Sequence, residues 1–266
     1  MLKLCIYTQK QEDIFMQLKS RKGFTLAEVL ITLGVIGVVA AMTLPGLIQN
    51  NQEAELTSRA KKAYSQINQA VKLYEAENET PGDIRGLFEA KNNAASSVQL
   101  AKDFAKYFSG AKVCENNSEK GCKSYYYKIA YASPRTDGNG TLTDWNTNGP
   151  KIILKDGTVI GIVQYQSCNW QQTGNKTDEY GNIIKDEHGN PITETWMSNI
   201  CADIIMDTNG PKKPNKFGAD GFSIQVFASK IKPSTYSPLG GNSLSSLLTN
   251  GKLIFTNYKS GEKLDF

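Results

Sequence analysis

The sequence predicts an α+β protein in which one long N-terminal helix precedes an antiparallel sheet. Three observations carry that reading. The 25 residues from Phe24 to Ile48 contain a single charge, Glu28. The residues after them repeat apolar side chains at helical spacing. The remainder then breaks into short apolar runs separated by turn signals. At 266 residues, 39% of them hydrophobic, the chain can bury a core as one large domain or two small ones.

The apolar segment comes first. As a helix at ~1.5 Å per residue it would measure ~37 Å, enough to cross a ~30 Å hydrocarbon core. That argues against a wholly soluble cytoplasmic protein. Ahead of it stand Lys3, Lys10, Lys19, Arg21 and Lys22 against Glu12 and Asp13, and a basic N-terminal flank stays in the cytoplasm. A secretory signal peptide would have a shorter apolar run with small residues after it. Here Gly23 lies before the run. The net charge of +4 is spread along the chain and forms no basic patch, so direct nucleic-acid binding is not expected. The one histidine, His188, excludes sites built from two or three imidazoles. No nucleophile–base pair or metal motif marks an enzyme.

Lys22-Gly23-Phe24-Thr25-Leu26-Ala27-Glu28, followed by an unbroken apolar run, resembles the signal of type IV pilins and type II secretion pseudopilins. The resemblance is tight from Arg21 to Asn51 and holds only in outline beyond. It implies cleavage by a prepilin peptidase after Gly23 and N-methylation of Phe24. Glu28 would then be the fifth mature residue. Residues 1–23 would be the leader, 24–48 the transmembrane and assembly half of the helix, and 49–266 an exported globular domain. A start at Met16 would give an eight-residue leader and set aside residues 1–15 with Cys5. Gly34 and Gly37 fall where family helices often have small residues, and Pro45 occupies the usual proline. Pro45 removes a backbone donor, so a kink or melted turn is expected near Ala41–Pro45. A carboxylate in hydrocarbon costs ~2.5–3.5 kcal/mol and normally has a partner. Across subunits, Glu28 could neutralise the new amine of a neighbouring Phe24. Near the interface, a snorkelling Glu is the plain alternative.

Beyond Pro45 the helix continues into water. Leu56, Ala60, Ala63, Ile67, Ala70 or Val71 and Tyr74 recur at steps of three and four, and Thr80-Pro81-Gly82 ends the element near Asn78. A second helix is expected at Ser97–Phe108. Strands are expected at Tyr125–Tyr131, Lys151–Leu154, Val159–Tyr165, Ala202–Met206, Phe222–Ala228 and Leu253–Tyr258. Asp156-Gly157 supplies a hairpin turn. A helix packed on a sheet in this order is the lollipop fold that the resemblance implies.

Cys114, Cys122, Cys168 and Cys201 suit an exported domain; of three connectivities, the local one pairs Cys114 with Cys122 and Cys168 with Cys201. The second bond would close a 34-residue loop, worth roughly 3–4 kcal/mol. Zinc is the rival, without a CxxC pair to support it. Within that loop Asp178–Lys185 is echoed by Asp186–Thr193, which reads as tight turns or as a partner-binding loop. The polar cluster from Asp207 to Asp220 opens as Asp-x-Asn but lacks the spacing of an EF-hand. Major pseudopilins have calcium in a late inter-strand loop, so Asp207, Asn209 and Asp220 are candidate oxygen donors. The alternative is a Pro-stiffened turn with Asn and Asp as backbone caps.

These features imply a structural subunit of a type IV pilus-like or type II secretion pseudopilus filament. Its partners would be prepilin peptidase, other pilin or pseudopilin subunits, an inner-membrane assembly platform and the membrane. It would sit in the bacterial inner membrane with its N-terminus cytoplasmic, then in a periplasmic or surface filament. A membrane-anchored extracytoplasmic binding module that does not polymerise is the second reading.

Overall fold

The computed structural model describes residues 23–89, 94–134, 140–145, 149–165, 167–178, 183–237, 241–254, 259 and 261–262. The chain divides into two compact units between Asn50 and Asn51, and helix α1 (Leu26–Glu77) contributes to both. In the first unit its side chains are exposed all round, among them Leu30, Ile31, Leu33, Val35 and Ile36. This part of the helix is long and apolar enough to cross a membrane. Its hydroxyls turn back on the backbone, as lipid requires. Thr32 Oγ1 donates to the Glu28 carbonyl at 2.9 Å, and Thr43 Oγ1 to the Val39 carbonyl at 3.0 Å. Pro45 lies inside an unbroken helix, so the melted turn expected there does not form. Proline removes one hydrogen bond, and the turns on either side carry the helix across the gap.

The second unit contains the sheet. Its elements are α2 (Arg85–Phe88), α3 (Ala94–Ala105), β1 (Lys112–Cys114), β2 (Ile129–Pro134), β3 (Gly140–Trp145), β4 (Lys151–Ile153) and β5 (Val159–Gln164). There follow β6 (Trp170–Asn175), β7 (Thr193–Ser198), β8 (Ile200–Asp207), β9 (Gly221–Phe227), β10 (Ile231–Pro233) and α4 (Leu244–Asn250). Six strands form an antiparallel sheet in the order β1-β4-β5-β8-β9-β10. The pairs β2–β3 and β6–β7 are separate two-stranded ribbons. The sheet is therefore a meander in chain order, with one hairpin inserted after β1 and another after β5. Ile152 pairs with Ile160, Ile160 with Met206 and Ile204 with Ile224, so apolar residues line up across the strands.

The core lies between α1 and one face of this sheet. Leu56, Ala60, Ala63, Ile67, Ala70 and Val71 cluster with Ile152, Ile160, Ile204, Met206, Phe222 and Ile224. The three alanines let the helix approach the strands closely. Phe88, Phe104 and Phe108 continue the core as edge-on ring pairs with centroids 5.3 and 5.0 Å apart. The β4–β5 turn is tied to the helix by an ion pair of Lys62 with Asp156 at 2.8 Å. Gly157 takes φ +90° in that turn, a conformation that favours glycine.

Three local expectations are corrected. The strand expected at Tyr125–Tyr131 starts only at Ile129, because a 3-10 turn at Lys123–Tyr125 follows the Cys114–Cys122 disulfide. Leu253 and Ile254 are not in a strand, and 255–258 lie outside the described residues. Helix α4 was not expected, although Ser243 caps its start and Gly251 closes its end at φ 71°.

Phe104 is fully buried, so Phe104→Ala should cost ~3–5 kcal/mol. The exposed Leu73→Ala should stay within ~0.5 kcal/mol. Guanidinium unfolding of the detergent-solubilised chain compares the two. Equal midpoints would contradict the core described here.

Candidate functional site

Two clusters concentrate the polar chemistry. The first is the loop between β8 and β9. Asp207 Oδ1 accepts the backbone N–H groups of Asn209 at 3.1 Å and Gly210 at 2.9 Å. Gly210 has φ +67°, and a Cβ there would stand 2.6 Å from the Gly157 carbonyl oxygen, so this turn needs glycine. At the other end of the loop, Asp220 accepts Asn215 N–H on Oδ2 and Lys216 N–H on Oδ1, both at 2.7 Å. The loop is also sewn to β2: Ala130 N–H donates to the Asn215 carbonyl, and Phe217 N–H to the Ala130 carbonyl. Both carboxylates therefore act as backbone caps, as the turn reading expects.

That capping leaves atoms over. Among the described residues, Asp207 Oδ2 and Asn209 Oδ1 are buried without a close hydrogen-bond partner, as are the hydroxyls of Thr208 and Tyr127. The Tyr127 hydroxyl nonetheless lies near enough to Asp207 for each to act on the other's titration. Burial pushes both carboxyls above the ordinary range, and the charge of Asp220 adds to the rise at Asp207. Burial raises the Tyr127 hydroxyl too, with the two carboxylates adding to it. A cavity of about 20 Å³ is lined by Tyr127, Asp207 and the buried Lys151, room for a single water or ion. Lys151 rests near the Tyr126 ring at 5.3 Å, and burial lowers its amine to about 8. Sequence reasoning missed Lys151, since a lysine opening a short strand carries no signal of burial.

Two buried carboxylates, one of them with an unpaired oxygen, beside an unpaired amide oxygen are donor types that suit a hard cation such as calcium. Asp207 Oδ2 and Asn209 Oδ1 would be the open donors. Asp220 brings the second negative charge, and each of its oxygens keeps a lone pair beyond its N–H partner. Lys212 and Lys213 are exposed.

The second cluster is the start of α1. Gly23, Phe24 and Thr25 are not helical, and Phe24 is 88% exposed. Val29 N–H bonds back to the Thr25 carbonyl at 3.2 Å, which makes Thr25 the helix N-cap. Thr25 Oγ1 accepts the N–H of Glu28 at 3.2 Å. In return, Glu28 Oε2 accepts from Thr25 N at 2.9 Å and from Thr25 Oγ1 at 2.8 Å. This is a capping box, and Thr25-x-x-Glu28 before an apolar run is its sequence signature. The Thr25-x-x-Glu28 spacing thus gives Glu28 a partner within its own chain, beside the partners in other chains that a charge in an apolar run suggests. At Gly34 and Gly37 a Cβ would meet nothing within 4 Å, so the chain itself has no need of small residues there. Pro45 is exposed within α1.

The remaining candidates are structural. Cys114 is bonded to Cys122 and Cys168 to Cys201, 8 and 33 residues apart. In the repeat, Asp186 Oδ1 accepts the N–H groups of His188 and Asn190, a tight turn. Residues 179–182 of the first copy lie outside the described residues.

Residues 18–44 match the family model of the prokaryotic N-terminal methylation motif. The chain thus carries the prepilin-type signal of type IV pilins and pseudopilins. No curated protein and no solved structure matches it.

The carboxyls of Asp207 and Asp220 lie above their unfolded value of ~3.9, so the folded state holds protons the unfolded state releases. Metal-free protein should therefore gain stability as pH falls from neutrality toward ~4, and lose it as pH rises. Asp207→Asn should flatten that slope by up to ~1.4 kcal/mol per pH unit. Unfolding midpoints in a chelator, measured across pH 4–8 for both proteins, check the sign. An unchanged slope would mean that the pair does not titrate in this way.

Proposed function

We propose that this chain, carrying a prepilin-type signal, is a structural subunit of a type IV pilus-like or type II secretion pseudopilus filament. The observation that carries the reading is an exposed, non-helical Gly23-Phe24 step at the head of an apolar segment, Phe24 to Ile48, whose only charge is Glu28. A prepilin peptidase would cut between Gly23 and Phe24, and the new terminus would be methylated. Among the described residues, which begin at Gly23, Glu28 has hydrogen-bond donors but no cation among its partners. It therefore keeps its charge available for the Phe24 amine of a neighbouring subunit. The open space around Gly34 and Gly37 would admit a neighbouring helix at short range. The subunit would be anchored in the inner membrane and then extracted, through an assembly platform, into the filament. Its role would be structural and not enzymatic.

A non-polymerising anchored binding module has one feature in its favour. The β6–β7 ribbon exposes Trp196 and Met197, with the Trp196 ring packed so closely over Gly174 that a Cβ there would meet it at 2.7 Å.

Glu28→Gln separates the two readings. It keeps the oxygen that accepts from Thr25 and removes only the charge, so processing and insertion should stay intact. Incorporation should fail, because the incoming amine would be buried without a counter-charge, at a cost of several kcal/mol. The measurement is processed protein, with methylated Phe24 at its terminus, in sheared filaments relative to membranes. Wild-type incorporation would remove the pairing mechanism.

Calcium is proposed for the β8–β9 loop, with Asp207, Asn209 and Asp220 supplying oxygens. It would offset the charge that burial makes unfavourable at neutral pH. At a hundredfold excess over its dissociation constant, calcium should stabilise the protein by ~2.7 kcal/mol, and Asp207→Asn should abolish the gain. Equal melting temperatures in calcium and in chelator would discard the site.

A further inference from the structure

The scissile step itself is open. Gly23 and Phe24 lie outside the helix, and a Cβ on Gly23 would meet nothing within 4 Å. Among the described residues nothing requires glycine at position 23, so the demand for a small residue is assigned to whatever binds the step from outside. What the fold controls is where the helix starts. An α-helix buries its peptide groups in its own hydrogen bonds, and its first four N–H groups need partners from elsewhere. At the start of α1, Thr25 meets that need from the N-cap, with Glu28 reciprocating. The boundary therefore falls one residue beyond Phe24. If the helix began a turn earlier, the Gly23–Phe24 peptide would be wound into it.

We propose that Thr25 is a positioning residue for leader cleavage: with Glu28 as reciprocal cap, it fixes the helix boundary so that the Gly23–Phe24 bond stays unwound for the peptidase. The proposal rests on the prepilin-type signal and not on filament formation. It gives Glu28 a task before any encounter with another subunit, and that task requires an acceptor, not a charge.

The last point makes the idea testable. Glu28→Gln keeps an oxygen to accept the Thr25 N–H and loses the charge. Thr25→Ser keeps the hydroxyl, and Thr25→Val keeps the shape without it. An N-cap of this kind shifts the boundary equilibrium by a factor of about five. Cleavage of the full-length precursor in membranes by a prepilin peptidase is followed by the appearance of a terminus at Phe24. Thr25→Val should be cleaved about fivefold more slowly, with Thr25→Ser and Glu28→Gln near wild type. Amide hydrogen exchange of the uncut precursor should show Phe24 more protected in Thr25→Val than in wild type. Cleavage of Thr25→Val at the wild-type rate would overturn the proposal. So would slow cleavage with unchanged exchange at Phe24, since the peptidase would then be reading the hydroxyl directly. Loss of cleavage in Glu28→Gln equal to that in Thr25→Val, again with unchanged exchange, would assign the effect to charge. Normal cleavage of Glu28→Gln together with failed incorporation would leave the positioning role standing and bear only on the filament reading.

Discussion

One helix has to satisfy two solvents, and most of the structure follows from that constraint. Its first two dozen residues are apolar on nearly every side, and none of the described residues covers them. There, each polar group must find its partner within the helix. The back-bonded Thr32 and Thr43 and the Thr25–Glu28 box meet that condition. From Leu56 onward only one stripe is apolar, and a sheet covers it. Because Ala60, Ala63 and Ala70 lie in the stripe, the strands come close, and Ile67 fills the remaining volume with no exposure. At ~25 cal/mol per Å² of apolar surface, burial of this kind outweighs any single polar contact in the unit.

The sheet is simple, and its insertions are not. A two-stranded ribbon alone is at best marginally stable in water. The β6–β7 ribbon has a disulfide at its base, where Cys168 meets Cys201 beside a register shift in β8. There Tyr165 stacks on Trp170 at 5.2 Å and bonds Asp203 through its hydroxyl at 2.6 Å. The Cys114–Cys122 bond lies beside the three-residue edge strand β1 and packs in a small apolar cluster with Ile153 and Val159. Both cross-links thus stand beside points where a two-stranded ribbon departs from the sheet.

What the sequence made legible was apolar patterning. The helical stripe from Leu56 to Val71 was readable because burial on one face writes a period into the residues. Strands β4, β5, β8 and β9 were readable as short apolar runs buried at successive residues. Elements fixed by single contacts were not. The strand expected at Tyr125 begins at Ile129, since a 3-10 turn beside a disulfide determines that boundary. The ribbon β6–β7 alternates polar residues on both faces and gives no hydrophobic signal. In the β8–β9 loop the acidic residues could be named in advance, but not which of their oxygens the backbone would use. That division depends on turn geometry at Gly210 and Asn215. Lys151 was invisible for the same reason: its burial comes from the aromatic neighbours that fold over it.

The two polar clusters differ in how far their own chain satisfies them, and that difference indicates what each can do. At the start of α1 the Thr25 donors and the Glu28 acceptor answer one another. This pairing is suited to fixing a boundary, and both bonds from Thr25 fall on one oxygen, Glu28 Oε2. In the β8–β9 loop the backbone takes up part of the acceptor capacity and leaves Asp207 Oδ2 and Asn209 Oδ1 buried and unpaired. An unsatisfied buried oxygen costs ~1–3 kcal/mol, more when charged, and the cost is removed either by a proton or by a cation. The raised carboxyls are the protonated answer to that demand. Calcium, proposed for this loop, would be the other answer, and its uptake would then be accompanied by proton release.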